Sequence, residues 1–235
     1  MTAFSALVLD CRELIGDTGA TVFTADQVKQ WVNDAIKSLS IYFPRRLTTD
    51  VACTTAQRKY DIAQAIVSIL SVEYPAGEDP PEYLKYREHT HPSFWSNDGY
   101  YCFIKRMDAY LADDPPTEGY GEPSQIWIST KPTTGQKIRL EYTSEHKLLS
   151  ADTDILSVLP RHEHLIHLFV RWKAWSELAT TEGMDPDPTE ALSATLETNA
   201  GKAERSYLQA LKDAQQAESE SGQAHLWMDK WDRIY

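Results

Sequence analysis

The sequence predicts a mainly helical α+β fold, with an antiparallel-type core of about four helices, an inserted small β-unit and a C-terminal tail. In four segments outside residues 45–150, apolar residues recur at three- and four-residue spacing, which is typical of amphipathic helices. Within about 45–150, runs rich in β-branched residues replace that spacing. We therefore expect one helical domain over 1–222, a β-rich insertion at about 45–150, and a separate tail at 223–235.

The first two helices have the clearest sequence signals. The apolar spacing predicts a helix over 3–15, which Gly16 ends. A second helix is predicted to begin at Thr24, because Thr24 and Gln27 have the spacing of a capping box, and to end before Pro44. Its predicted apolar stripe consists of Val28, Trp31, Val32, Ala35, Ile36 and Leu39. The short connection predicts that the two helices are neighbours.

The middle of the chain predicts strands. Four are expected, over 65–74, 100–106, 125–129 and 137–142. The last two flank a Gly-containing loop, and we expect them to pair as a hairpin. In the last one, Ile138, Leu140 and Tyr142 alternate with charged residues, which predicts one buried face. A short helix is expected to begin near Pro81.

Helical spacing returns after Pro160. A third helix is predicted over 161–180, with a buried face of Leu165, Leu168, Phe169, Trp172, Trp175 and Ala179. A last helix is expected to open at Asp187 and Pro188 and to extend to about residue 218. Its predicted buried side consists of Leu192, Leu196, Ala203, Tyr207, Leu211 and Ala214. The segment 218–222, with sequence ESESG, is predicted to break the chain before the tail.

Composition excludes several classes of function. The net charge of −12 argues against a surface that grips nucleic-acid phosphates. Cys11, Cys53 and Cys102 are odd in number and widely spaced, so neither a disulfide framework nor a cysteine zinc site is expected. No apolar run approaches the roughly 18–20 residues that span a bilayer. The first residues lack the pattern of a secretory signal, so we expect a protein made in the cytosol.

The histidine cluster at 160–172 is the strongest candidate for a metal or catalytic site. Glu163, His164 and His167 are close enough in angle on a helical wheel to converge on a metal ion. The HExxH motif of zinc hydrolases fails, because the residue four after His162 is Ile166. Since the candidates point away from the predicted buried face, we expect a solvated or partner-facing helix side, with no metal and no cofactor.

Other sites of chemistry have weaker signals. No GxSxG, GxxxxGK[ST] or GxGxxG motif is present, so we expect no enzymatic activity. The segment 113–123 contains four acids and could hold a cation weakly, but it lacks the register of a calcium loop. An acidic loop is the simpler interpretation of that segment.

The tail combines many apolar side chains in a short segment. Trp227, Trp231 and Ile234 repeat at four- and three-residue spacing, with Met228 and Tyr235 beside them. One interpretation is a short helix that folds back on the core of its own chain. The other is an anchor that docks in a groove of a partner, because Trp and Tyr dominate interface hot spots and this spacing suits helix-in-groove binding.

Several short motifs resemble those of the head–tail connector (adaptor) proteins of tailed bacteriophages. They occur at Trp31, Asn33, Ala35 and Leu39, at Tyr60, Asp61 and Ile62, at Gly121 and Pro123, at Trp127 and Ile128, and at Leu159 and Pro160. The resemblance covers about residues 3–215. The chain has Ala63 where the family often has Pro, and none of the matched positions is catalytic.

The resemblance implies a structural virion protein in the neck of the phage, assembled in the host cytoplasm. Such proteins form a ring, usually twelvefold, that joins the portal protein to the next tail component and extends the DNA exit channel. DNA would pass without specific binding, and the C-terminal segment would dock on the portal. A tail completion or stopper protein remains an alternative. A metal-dependent hydrolase that uses Glu163, His164 and His167 is the alternative from another class.

Overall fold

The computed structural model describes residues 2–62, 66–95, 101–105, 125–183 and 190–231. The chain divides into two compact units. One consists of Met1–Phe43 and His146–Tyr235 and is called the helical unit below. The other consists of Pro44–Glu145 and is called the strand unit. The chain therefore passes between the units twice, once after Phe43 and once before His146.

The described part of the helical unit contains four α-helices. They are α1 (Phe4–Ile15), α2 (Ala25–Tyr42), α3 (Glu163–Gly183) and α4 (Glu190–Trp231). A single 3-10 turn at Pro160–His162 leads directly into α3. The α+β mixture and the four predicted helices are thus present, but helices dominate only this unit.

The structure confirms the predicted features of α1 and α2. Gly16 ends α1 in the left-handed conformation, with φ of 78°, which a residue without Cβ adopts at little cost. Thr24 and Gln27 form both hydrogen bonds of the capping box. All six residues of the predicted stripe on α2 are buried. Together with Phe4, Leu7 and Cys11 of α1, they form part of one hydrophobic core.

The predicted buried face of α3 needs a correction. Leu165 and Phe169 are buried as expected, whereas Trp175 and Ala179 are only half-buried. Ile166 and Val170, which the prediction left out, are fully buried. The physical reason is that α3 packs against α1, α2 and α4 together, so its buried arc is wider than a single amphipathic stripe.

The predicted end of the last helix also needs a correction. Ala203, Tyr207 and Leu211 are buried as expected, although Leu192 is exposed. The predicted break at 218–222 is absent, and α4 continues as one helix to Trp231. Ser and Gly lower helix propensity by only about 1 kcal/mol or less per residue, so an otherwise favourable helix can pass through them.

The strand unit contains two sheets in its described part. In the first, β7 (Lys137–Ser144) lies between β1 (Arg45–Ala52) and β3 (Ile66–Glu73), and both pairings are antiparallel. The second has the order β2 (Lys59–Asp61), β6 (Gln125–Ile128), β5 (Tyr101–Lys105) and β4 (Lys85–Tyr86). Ile126 and Ile128 from one sheet, and Ile138 and Leu140 from the other, belong to one core.

The predicted hairpin between the strands at 125–129 and 137–142 is wrong. Both strands exist, and Ile138, Leu140 and Tyr142 are buried as their alternation predicts. However, β6 pairs with β2 and β5, while β7 pairs with β1 and β3. Residues 129–136 thus connect two sheets, and each strand buries one face in the core between them. The helix expected near Pro81 is also absent from the described residues, where β4 follows instead.

Candidate functional site

His162 is the most enclosed histidine of the cluster at 160–172. Its side chain is buried, and its ring lies 4.2 Å from that of Phe43, measured between centroids. Its Nε2 is 3.4 Å from a carboxylate oxygen of Glu218, which also pairs with Arg161. Burial lowers the pKa of His162 below its usual value, and the carboxylate of Glu218 only partly opposes that effect. His162 is therefore a neutral packing residue near pH 7.

The proposed metal ligands Glu163, His164 and His167 do not converge. His164 is exposed, and its Nδ1 lies 2.9 Å from the carbonyl oxygen of Arg161. The Nε2 of His167 is enclosed without a hydrogen-bond partner. Among the residues that the structure describes, no group of three or more His, Cys, Asp and Glu side chains is arranged to bind a metal ion.

The three cysteines are buried and free. Burial raises the pKa of the Cys11 thiol to about 12 and that of Cys102 to about 11. Burial also raises the pKa of Cys53. A protonated, enclosed thiol is a poor nucleophile and a poor metal ligand, so these side chains act as small core residues.

His146 links the point where the chain returns to the helical unit with the point where it leaves that unit. Its backbone N–H donates to Ser40 Oγ at 3.0 Å, and its Nε2 lies 2.8 Å from the carbonyl oxygen of Phe43. Its Nδ1 lies 3.1 Å from Ser157 Oγ. Sequence reasoning missed this residue, because its partners are remote along the chain. The arrangement is one of positioning, since both ring nitrogens already have partners.

Two of the motif residues have clear structural roles. The amide of Asn33 donates to the carbonyl of Leu149 and accepts from its N–H, both at 2.9 Å. The Trp31 ring packs edge-on against Phe23, with centroids 5.0 Å apart. The positions Gly121 and Pro123 lie outside the described residues, as does the possible cation site at 113–123.

A small cleft lies between α3 and α4. It has a volume of about 150 Å³, and its floor includes Leu168 and Ala203. Its walls consist of Arg171, Trp175, Asn199, Lys202 and Ser206. Sequence reasoning missed this cleft because its two walls are about thirty residues apart along the chain. Within the described residues, no helix is long and apolar enough to cross a membrane.

The predicted docking residues occupy the end of the chain. Trp227, Met228 and Trp231 lie at positions on the last turns of α4, while Ile234 and Tyr235 lie outside the described residues. The last described side-chain contact along α4 is that of Glu218 with Arg161 and His162. Beyond it, α4 continues over 219–231, which is about 20 Å of helix at roughly 1.5 Å per residue.

The chain matches a known protein family. The family model described as SU10 adaptor protein matches residues 2–226. The matched span includes both units and most of α4. No curated protein matches the chain significantly.

Proposed function

This chain belongs to the SU10 adaptor protein family, and from that premise we propose that it forms a ring in the neck of a tailed-phage virion. The family makes it a structural phage adaptor that associates with other virion components. The finer proposal is that the ring joins the portal protein to the next tail component and extends the DNA exit channel. The match over residues 2–226 is the observation that carries this function.

The end of α4 supports a docking role for the tail. The helix continues past Glu218, which makes its last described side-chain contact, with the 3-10 turn that precedes α3. Beyond this contact, the sequence concentrates large apolar side chains, namely Trp227, Met228, Trp231, Ile234 and Tyr235. We propose that these residues dock on the portal protein, with Trp231 as the main anchor, because large aromatic side chains dominate interface hot spots.

The charge of the chain suits a channel through which DNA passes. A net charge of −12 repels phosphates on average, so DNA would slide past the protein without specific binding. The ring is proposed to be dodecameric, in line with the resemblance drawn from the sequence motifs. If bases rather than acids lined the bore of the assembled ring, this part of the proposal would be wrong.

Deletion of residues 223–235 tests the docking role. A chain that ends at Gly222 should keep the far-UV circular dichroism expected for the remaining helices, yet fail to co-assemble with the portal protein of the same phage. Trp231→Ala should weaken co-assembly as well, since truncation of a buried interface Trp costs about 2–4 kcal/mol. Leu208→Ala, at an exposed apolar position on the same helix, is the matched control and should bind normally.

Three outcomes would change the interpretation. An unfolded deletion variant would place the tail in the core of its own chain. Normal portal binding by the folded deletion variant would remove the docking role from the tail. Binding only to a component further down the tail, and not to the portal, would favour the alternative of a tail completion or stopper protein.

A further inference from the structure

The cleft between α3 and α4 carries two basic side chains that nothing in the described structure neutralises. Arg171 and Lys202 are both exposed, and they lie on opposite walls. Neither makes an ion pair or a side-chain hydrogen bond with any described residue. By contrast, the neighbouring Lys173 lies over the rings of Phe169 and Trp172, at 5.5 and 4.9 Å from their centroids.

Neither helix has an acidic residue placed to balance the charges of these two bases. On a helix surface, charges are normally balanced by residues three or four positions away. Those positions hold no acid around either base: they are His167, Leu168, Ala174 and Trp175 for Arg171, and Thr198, Asn199, Arg205 and Ser206 for Lys202. In a chain with 35 acids and 23 bases, two facing bases without an acidic neighbour mark a place for a negatively charged ligand.

The other walls indicate what kind of anion fits. Trp175 is half-buried and offers an aromatic surface, while the amide of Asn199 offers a neutral hydrogen-bond donor. A bare inorganic ion would use the bases alone. A peptide that carries carboxylates together with aromatic or proline side chains would use the bases, the aromatic ring and the amide, because Arg pairs well with carboxylates and Trp packs well against rings.

The chain contains one segment with that chemistry. Residues 113–122, with sequence DDPPTEGYGE, carry four acids, no base, two prolines and Tyr120. We propose that the α3–α4 cleft binds the acidic segment 113–122 of a second copy of this chain. The proposal rests on the ring proposed above, and it assigns one contact between adjacent subunits of that ring.

A peptide titration tests the chemistry of the cleft. The four acids are first replaced in the full chain (Asp113→Asn, Asp114→Asn, Glu118→Gln and Glu122→Gln), which leaves the cleft free of its proposed occupant. A labelled peptide of residues 110–124 should bind this variant by fluorescence anisotropy, less tightly as salt rises. Adding Arg171→Glu and Lys202→Glu should weaken binding by about tenfold or more, since two charge-assisted contacts become repulsive.

Matched controls make the peptide result specific. Lys37→Glu with Lys212→Glu makes the same change of charge on α2 and α4 outside the cleft, and it should leave the peptide affinity within about twofold. A peptide with the four amide substitutions should not bind. Equal binding of the acidic and amide peptides, or equal loss in the control variant, would overturn the proposal.

Mixing two variants tests whether the segment comes from another copy. The Arg171→Glu/Lys202→Glu chain lacks the cleft charges, and the acid-free chain lacks the segment, so neither alone should self-associate through this contact. Their mixture should form heterodimers in analytical ultracentrifugation, because one intact cleft then meets one intact segment. Peptide binding without heterodimers would show that the occupant is not a second copy, and the proposal would fail.

The outcomes separate this contact from the proposed neck function. Rings that assemble on the portal normally with the Arg171→Glu/Lys202→Glu chain would overturn the cleft contact and leave the neck function standing. If the two variants form heterodimers but the wild-type chain does not bind the portal, the cleft contact would stand and the proposed neck function would be wrong.

Discussion

The helical unit and the strand unit use their polar side chains in different ways. In the helical unit, buried and half-buried polar groups hold the connections between helices, and Asp17 and Asn33 are the clearest examples. In the strand unit, the main charged network lies on the outer side of β7, where Asp50, Arg139 and Glu73 meet. The difference follows from the backbone: helix ends leave N–H and C=O groups without partners, whereas paired strands satisfy one another.

The loop after α1 illustrates the first case. The carboxylate of Asp17 accepts the backbone N–H groups of Thr21, Val22 and Phe23, at 2.8 to 3.1 Å. Arg12, itself buried, pairs with that carboxylate at 3.5 Å and donates to the carbonyl of Phe23 at 3.1 Å. The ion pair of Arg12 and Asp17 thus provides hydrogen-bond partners for several backbone groups of the turn that leads into α2. Its removal would leave several buried groups without partners.

The outer side of β7 illustrates the second case. Arg139 donates to Asp50 at 2.9 Å and to Glu73 at 3.4 Å, across both neighbouring strands. The side chains of Arg139 and Asp50 are 40% and 32% exposed, so water and salt screen their contact, whereas the Glu73 side chain is only 10% exposed. The strands are meanwhile held by their own ladders and by the buried face of Ile138, Leu140 and Tyr142. The exposed pair of Arg139 and Asp50 therefore adds little to what the backbone already provides.

The largest effects should come from the cores, because each unit has its own. Leu165→Ala in α3 and Ile138→Ala in β7 should each lower the free energy of unfolding by about 2–5 kcal/mol, since both side chains are fully buried. Hydrogen exchange followed by mass spectrometry should show the loss of protection mainly in the unit that carries the change. Equal loss in both units would mean that they unfold as one, which would break the comparison.

A smaller effect should appear in acid. The N–H groups of Phe23, Val22 and Thr21 lower the pKa of Asp17 to about 2, below the value of about 3.9 in an unfolded chain. Its stabilisation is therefore complete above about pH 4 and is lost as the pH falls towards 2. Asp17→Asn should lower the urea midpoint at neutral pH and should remove part of this acid dependence.

Asp50→Asn is the matched control for that measurement. Its hydrogen bond with Arg139 lowers the pKa of Asp50 as well, but that pair is exposed. Its effect should be smaller than that of Asp17→Asn and should shrink further as salt rises. A full wild-type acid dependence in the Asp17→Asn variant would show that other carboxylates control acid unfolding. One such group is Asp154, because the backbone N–H groups of Ser150 and Ala151 lower its pKa.

The smallest effects should come from a helix cap in the helical unit and from a surface ion pair in the strand unit. Thr24→Ala removes one side of the capping box of α2 and should cost about 1 kcal/mol. Arg139→Ala should cost less, because its shorter contact, with Asp50, is screened and its contact with Glu73 is long, at 3.4 Å. Urea unfolding followed by circular dichroism can rank the two. A larger loss for Arg139→Ala would show that the surface network holds the strand unit together more than its ladders suggest.

The elements that the sequence predicted well depend on near neighbours. The bounds of α1, the capping box at Thr24 and the buried stripe of α2 follow from residues within four positions of one another. The alternation in β7 likewise predicted its buried face. The family resemblance rested on short motifs of the same kind, and the match over residues 2–226 confirms it.

The elements that it predicted poorly depend on remote partners. The strands β6 and β7 look like a hairpin in the sequence, because a turn-rich loop joins them, yet each finds its partners in another sheet. The α3 helix buries Ile166 and Val170 because three other helices surround it. His162 is buried because Phe43 and Glu218, from opposite ends of the chain, close over it.

By itself, the sequence determined the order of the elements, the caps and the faces of the first helices, because periodicity and capping act over one or two turns. Only the tertiary structure decided which strands pair, how wide the buried arc of α3 is, and that Arg171 and Lys202 share one cleft. Those features arise where segments far apart in the chain meet. The spacing of residues within a segment does not indicate which remote segment will pack against it.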